Sequence, residues 1–329
     1  MKRVLSFVLC CLSVGFAYGQ QDKQFTHYMF DRMSYNPATT GTRGYCGTLI
    51  YRNQWDRVQD APNTTLFNAQ GNLQQVQLGP GAIGVGLSFM NDAIGFSRSN
   101  NLTVNGAYHY PTDYGTLSGG VGLGLINVGF SPNWVPPQTP ADADPAISSI
   151  NNQVAATGFD MNFGLFWYGK NLPYYVGLST THLAPADLSK VSFSVARHYY
   201  VLAGYTVDMQ ELIGTRNQFD LKPSVLLKAD GASMVFDVNV LANYWMNNAS
   251  YFWGGATYRY SDAIALMVGY GFSPKANVNQ DMLKFGYSFD IMTNPLNTYG
   301  KGTHELMLNY CMFPPEPVVP RHGNPFILQ

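Results

Sequence analysis

The chain has 329 residues, of which 12% are charged, about half the share usual in soluble domains. Its 19 basic and 20 acidic residues leave a formal charge of −1, which excludes a nucleic-acid footprint. Aromatic residues reach 14%, with 22 Tyr and 20 Phe, an unusual pairing with so little charge.

The first element is a leader. Met1-Lys2-Arg3 is basic, Val4 to Phe16 is apolar, and Ala17-Tyr18-Gly19 places small residues at the −3 and −1 positions. That is the pattern of a secretory signal peptide, residues 1–19, with cleavage expected after Gly19. The apolar run falls short of the ~20 residues that a transmembrane anchor needs. Cys10 and Cys11 lie inside it, and neither follows the small residue of a lipoprotein cleavage site. No later stretch approaches ~18 continuous apolar residues, so helical membrane spans are excluded.

Residues 20–44 show no alternation, and Asn36-Pro37 and Gly41 break any strand there. This segment is expected to be a periplasmic lead-in. From residue 45 the pattern changes to a period of two, clearest in 218–245. There Phe219, Leu221, Pro223, Val225 and Leu227 alternate with Asp220, Lys222, Ser224, Leu226 and Lys228. After the turn at Ala229-Asp230-Gly231-Ala232, Phe236, Val238, Val240 and Tyr244 alternate with Asp237, Asn239, Leu241 and Asn243. Successive side chains of a pleated backbone leave on opposite sides, so this is a β-hairpin with one apolar and one polar face.

Further strands are expected near 45–53, 64–73, the Gly-rich 81–95, 100–110, 116–130, 157–168, 173–182, 196–207, 250–259, 263–273, 279–292 and 303–313. A soluble sandwich shares this alternation. An exported, charge-poor, aromatic-rich chain favours the all-β alternative, an antiparallel transmembrane β-barrel of about 14 strands over residues 45–313, with a Pro-rich tail at 314–329. An even count puts both barrel ends in the periplasm. The connections 54–63, 92–99, 131–156, 183–195, 229–232, 260–262 and 293–302 are then extracellular.

Chemical motifs are scarce. Gly81–Gly86 and Gly119–Gly124 match neither a dinucleotide fingerprint nor a P-loop, and no helical segment follows either. Glycines there suit curvature or close packing in the lumen. The six histidines lack zinc spacing, and Ala141-Asp142-Ala143-Asp144 has too few carboxylates for a calcium loop. No catalytic residues, cofactor or metal are expected. The lumen face carries Arg52, Asp160, Asp220, Lys222, Lys228, Asp237, Lys284, Asp290 and Glu305. Mixed signs suit a closed network of ion pairs, with a charged pore as the alternative. Trp55 and Trp134, in outward loops, suit either an interfacial aromatic girdle or anchors for a protein partner.

Several blocks carry a resemblance. Gln24-Phe25, Tyr28-Met29-Phe30 and Tyr35-Asn36-Pro37-Ala38 open the mature chain, and Tyr51-Arg52-Asn53-Gln54-Trp55 is followed by Ala61-Pro62-Asn63-Thr64. Then come the Gly-rich strand closed by Asn91-Asp92-Ala93-Ile94-Gly95, the run Lys284–Asp290, and Gly302-Thr303-His304-Glu305-Leu306-Met307-Leu308. In this order they resemble the PorP/SprF proteins, outer-membrane components of type IX secretion in Bacteroidetes. The resemblance implies a non-enzymatic role in the export or surface retention of a secreted protein or adhesin with a C-terminal sorting domain. The partners it implies are that cargo and other secretion components, besides membrane lipids; no nucleic acid is expected. Trp55, Arg57, Asp92 and Trp134 are the candidate partner-binding residues on the outward loops. A diffusion channel for small solutes is the second reading.

The mature chain retains two cysteines, Cys46 and Cys311. First and last strands of a closed barrel pair, and parity puts both thiols on the lumen face at the periplasmic rim. They are expected as neighbours, within reach of a disulfide where the register matches.

Overall fold

A computed structural model describes residues 23–73, 76, 78–130, 154–170, 173–184, 195–208, 219–230, 233–247, 249–274 and 281–312. The leader with its expected cleavage site, the stretch holding Trp134, and the Pro-rich tail lie outside the described residues.

The strands are β1 (Tyr45–Asn53), β2 (Asn63–Asn72), β3 (Ala82–Ile94), β4 (Ser97–Pro111), β5 (Gly115–Phe130), β6 (Val154–Gly169), β7 (Tyr174–Thr181) and β8 (His198–Tyr205). They continue as β9 (Val207–Asp208), β10 (Phe219–Ala229), β11 (Met234–Asn247), β12 (Ser250–Arg259), β13 (Ala263–Phe272), β14 (Met282–Met292) and β15 (Thr303–Met312). β8 and β9 are one stave. Both pair with β10 in a single register, Gly204 opposite Ser224 and Val207 opposite Leu221. Pro223 stands opposite the gap and has no N–H to give the ladder. β1 pairs with β15, Cys46 opposite Cys311 and Arg52 opposite Glu305, which closes a barrel of 14 antiparallel staves.

Two rims follow from the connectivity. The chain enters β1 and leaves β15 at the near rim; the β1–β2 and β14–β15 connections lie at the far rim. Alternation holds as expected. Val238, Val240, Phe285 and Tyr287 face outward and are exposed, while Asp237, Asn239, Ser288 and Asp290 are buried inside. Two expectations change. Residues 92–99 are not a loop, because β3 and β4 run to Ile94 and from Ser97. Their tips are held by polar cross-strand pairs such as Asn91 Nδ2 donating to Asn100 Oδ1 (2.7 Å).

The second correction concerns 20–44. Over its described part it is no external lead-in but a plug inside the barrel: Phe25, Thr26, His27, Tyr28, Tyr35 and Thr40 are all 0% exposed. The core of the protein is therefore lumenal. Phe25, Tyr28, Met29, Tyr35 and Ala38 pack among the wall residues Ile50, Leu66, Phe166, Tyr200, Leu226 and Trp253. With the apolar face of the wall turned outward and its mixed inner face packed on the plug, the strand pattern needs no second sheet.

Candidate functional site

The plug is built from short turns, because its sequence has no periodicity to sustain a helix or strand. Phe30 N–H donates to His27 O (2.9 Å) and Asn36 N–H to Arg32 O (2.9 Å). Asn36 then caps a single 3-10 turn, Pro37–Thr39: its Oδ1 accepts from Ala38 N–H (2.9 Å), and Pro37 sits where no backbone donor is required. The Asn36 amide also donates to the wall carbonyls of Leu165 (2.9 Å) and Leu178 (3.3 Å). The dipeptide that breaks a strand thus docks the plug.

The plug descends from far rim to near rim. At the top, Thr26 N–H and His27 N–H each donate to one oxygen of Glu305 (2.9 and 2.8 Å), and Thr26 Oγ1 donates to Asp290 (2.9 Å). Midway, the Tyr28 hydroxyl meets Ser224 (2.8 Å), and the Asn68 amide donates to Ser34 (2.9 Å) and to Asp31. Lower down, Ser179 Oγ donates to Tyr35 O (2.6 Å) and His109 Nε2 meets Thr40 O (2.7 Å). At the bottom Gly41 N–H donates to Gln70 (2.9 Å). The wall is thinned to receive it. A Cβ on Gly84 would collide with the Thr40 carbonyl, one on Gly120 with the Pro37–Ala38 backbone, and one on Gly164 with the Asn36 side chain. Glycines of both Gly-rich runs make room for the plug.

The top of the lumen holds a continuous ion-pair network. Arg52 donates to Glu305 (2.9 Å), Asp290 (2.7 Å) and Thr26 Oγ1 (3.1 Å). Arg259 lies 2.9 Å from Asp290, 3.4 Å from Asp237 and 3.5 Å from Asp262, and Lys228 closes on Asp237 at 3.0 Å. His27 Nδ1 sits 2.6 Å from Glu305. Arg52, Asp237, Asp290, Glu305 and Arg259 are each at most 3% exposed. Chemically this arrangement holds charges fixed against the plug backbone. His182 pairs with Asp160 (3.1 Å) elsewhere in the lumen.

Of the candidate partner-binding residues, two share the far-rim loop 54–62. Trp55 is half-buried, its backbone N–H donating to Thr303 Oγ1 (3.3 Å), and it packs beside Gly300. Arg57 is exposed, 3.9 Å from Asp56. Asp56 N–H donates to Gly302 O (2.9 Å) and Gly95 N–H to Asp60 O (3.0 Å), so this loop is tied to both neighbouring connections. Asp92 belongs to β3 rather than a loop and accepts from Thr64 Oγ1 (2.5 Å). Trp134 lies outside the described residues. Trp55 also lines a small polar pocket at the far mouth, with Gln24, Arg52, Gln54, Asp262 and Thr303. Cys46 and Cys311 form a disulfide across the seam, with Cα atoms 4.1 Å apart.

Sequence reading missed the plug's inward course, although a signal was present. Segments 20–44, 51–55, 284–290 and 302–308 carry the resemblance, and their Thr26-His27, Arg52, Asp290 and Glu305 meet in one network.

Comparison with known proteins agrees with this architecture. The toluene transporter TodX of Pseudomonas putida is similar at 10% identity over 84% of this chain and 91% of its own, with a TM-score of 0.47. A TodX monoaromatic hydrocarbon channel deltaS2S3 mutant is similar at 10% identity over 84% and 92%, with a TM-score of 0.50. At 10% identity the likeness to that mutant speaks for the barrel fold alone. No curated protein matches in sequence. The family described as Type IX secretion system membrane protein PorP/SprF matches residues 17–310, nearly the whole chain. A plugged outer-membrane barrel whose motif residues hold the plug, matched over that length, belongs to the PorP/SprF family of type IX secretion membrane proteins.

Proposed function

We propose that this barrel is a non-enzymatic component of type IX secretion that supports the export or cell-surface retention of a protein or adhesin with a C-terminal sorting domain. The observation that carries this reading is the filled upper lumen. With Thr26 and His27 bonded to Arg52, Asp290 and Glu305, and Phe25 and Tyr28 buried beside them, the described residues fill the upper lumen, which supports placing the partner at a mouth. An even stave count with both ends at one rim supports assigning the near rim to the periplasm and the far rim to the outside. The far-rim loop 54–62 then offers the contact surface, a half-buried Trp55 beside an exposed Arg57 on a loop braced from both sides. Tryptophan and arginine are the residue types that most often dominate binding.

The test replaces Trp55 and Arg57 together by alanine in the producing cell and measures cargo in surface and medium fractions. The reading expects a normal barrel level with cargo lost from the surface. A variant that displays cargo at the wild-type level removes loop 54–62 as the contact. Purified protein in planar bilayers separates the second reading: steady conductance with the plug in place would favour a diffusion channel.

A further inference from the structure

The upper lumen pairs every one of its described cations with carboxylates; the near-rim half does not. Lys222 of β10 and Lys284 of β14 share the lumen parity of the buried Ser224 and Ser288 at the near-rim ends of their staves, and the plug brings Arg32, over Tyr175, and Arg43 to the same half of the barrel. Lys284 feels Arg43, Lys222 and Arg32 at once, and the strongest electrostatic neighbour of Arg43 is Arg32. Against these four cations stands Asp220, and it is already shared. Its Oδ1 accepts from Asn243 (2.8 Å) and lies 3.6 Å from Lys222, and its Oδ2 accepts from Trp245 Nε1 (3.3 Å). Among the described side chains no carboxylate pairs with Arg32, Arg43 or Lys284, and the buried Nε of Arg32 has no acceptor. Their remaining company is aromatic: Arg32 lies over Tyr175 at 3.9 Å, Lys284 is 5.7 Å from the Phe30 ring, and Trp245 stacks obliquely on Tyr251 at 4.4 Å.

Four half-buried cations that share one carboxylate among the described side chains repel one another unless an anion joins them. We propose that the near-rim half of the lumen binds a phosphate-bearing polyvalent anion, gripped by Arg32 and Arg43 from the plug and by Lys222 and Lys284 from the wall. The chemistry fits phosphate better than a single carboxylate. One carboxylate carries one charge and presents one planar edge. A phosphate monoester or pyrophosphate carries about two charges or more, and its tetrahedral oxygens accept from several sides, two guanidinium forks included. Because two of the cations belong to the plug and two to the wall, the anion acts as a latch between them.

The experiment titrates inorganic pyrophosphate, and separately a short-chain phosphatidic acid, whose headgroup is a phosphate monoester, into the purified protein in phosphate-free nonionic detergent, read by calorimetry. Wild type is expected to bind one equivalent saturably. Arg43→Gln and Lys284→Gln should each weaken binding at least tenfold, and the double variant should abolish it. Removal of mutual repulsion predicts that the ligand-free double variant resists urea at least as well as wild type, so lost binding is not lost folding. Binding of pyrophosphate alone assigns a free anion, and binding of the lipid assigns a headgroup; either supports the site. Absence of binding by both, or a double variant that binds like wild type, overturns it.

Discussion

Replacing Arg52 by methionine tests whether the far-rim network holds the plug. The guanidinium is 3% exposed and donates to Thr26 Oγ1 (3.1 Å), Glu305 (2.9 Å) and Asp290 (2.7 Å). Removing one partner of a buried pair costs about 3–5 kcal/mol, because the other is left without compensation. Here neither carboxylate is left bare: Arg259 remains 2.9 Å from Asp290, and His27 remains 2.6 Å from Glu305. The lower end, about 3 kcal/mol, is therefore expected. Adding Glu305→Gln removes the charge that Arg52 neutralised, and the double variant should recover at least a third of the loss. Urea unfolding in lipid vesicles, followed by tryptophan fluorescence, reads both. Trp253 lies 5.6 Å from the His27 ring and 5.0 Å from that of Phe30, so its emission also reports plug docking. A single variant within about 0.5 kcal/mol of wild type, the range of an idle surface change, with unaltered Trp253 emission, would refute the network's role.

Val238 is 41% exposed on the apolar face, so Val238→Lys should cost roughly 2–4 kcal/mol at mid-membrane; equal urea midpoints would place it off the lipid face. Cys46→Ser opens a link spanning 265 residues of sequence, which bounds the loss at about 5 kcal/mol by chain entropy; dithiothreitol should lower the wild-type midpoint and leave the variant's unchanged. Gly120→Ala puts a methyl group into the Pro37–Ala38 backbone, so the plug must shift while the wall stays intact. Conductance in planar bilayers should rise above wild type; unchanged conductance would mean that the plug tolerates the methyl.

The stave pattern was legible in the sequence because a wall with lipid on one side and a core on the other must alternate at every residue. Parity sufficed to turn Arg52, Asp237, Asp290 and Glu305 inward, and closure of an even barrel brought Cys46 beside Cys311. The same rule fails at the tips of β3 and β4. Beyond the membrane neither face need be apolar, so Asp92 and Ser99 were placed in a connection while their backbones stay in the ladder. The course of residues 23–44 was decided by tertiary structure alone. A plug of short turns has no period, and its partners lie far away in sequence: Glu305 is 279 residues from Thr26, and Leu165 is 129 from Asn36. Glycines and charges on the inner wall were visible one by one. That they form a socket, with paired charges at the far rim and an excess of cations at the near rim, emerges only when the closed barrel brings the staves around the segment that precedes them.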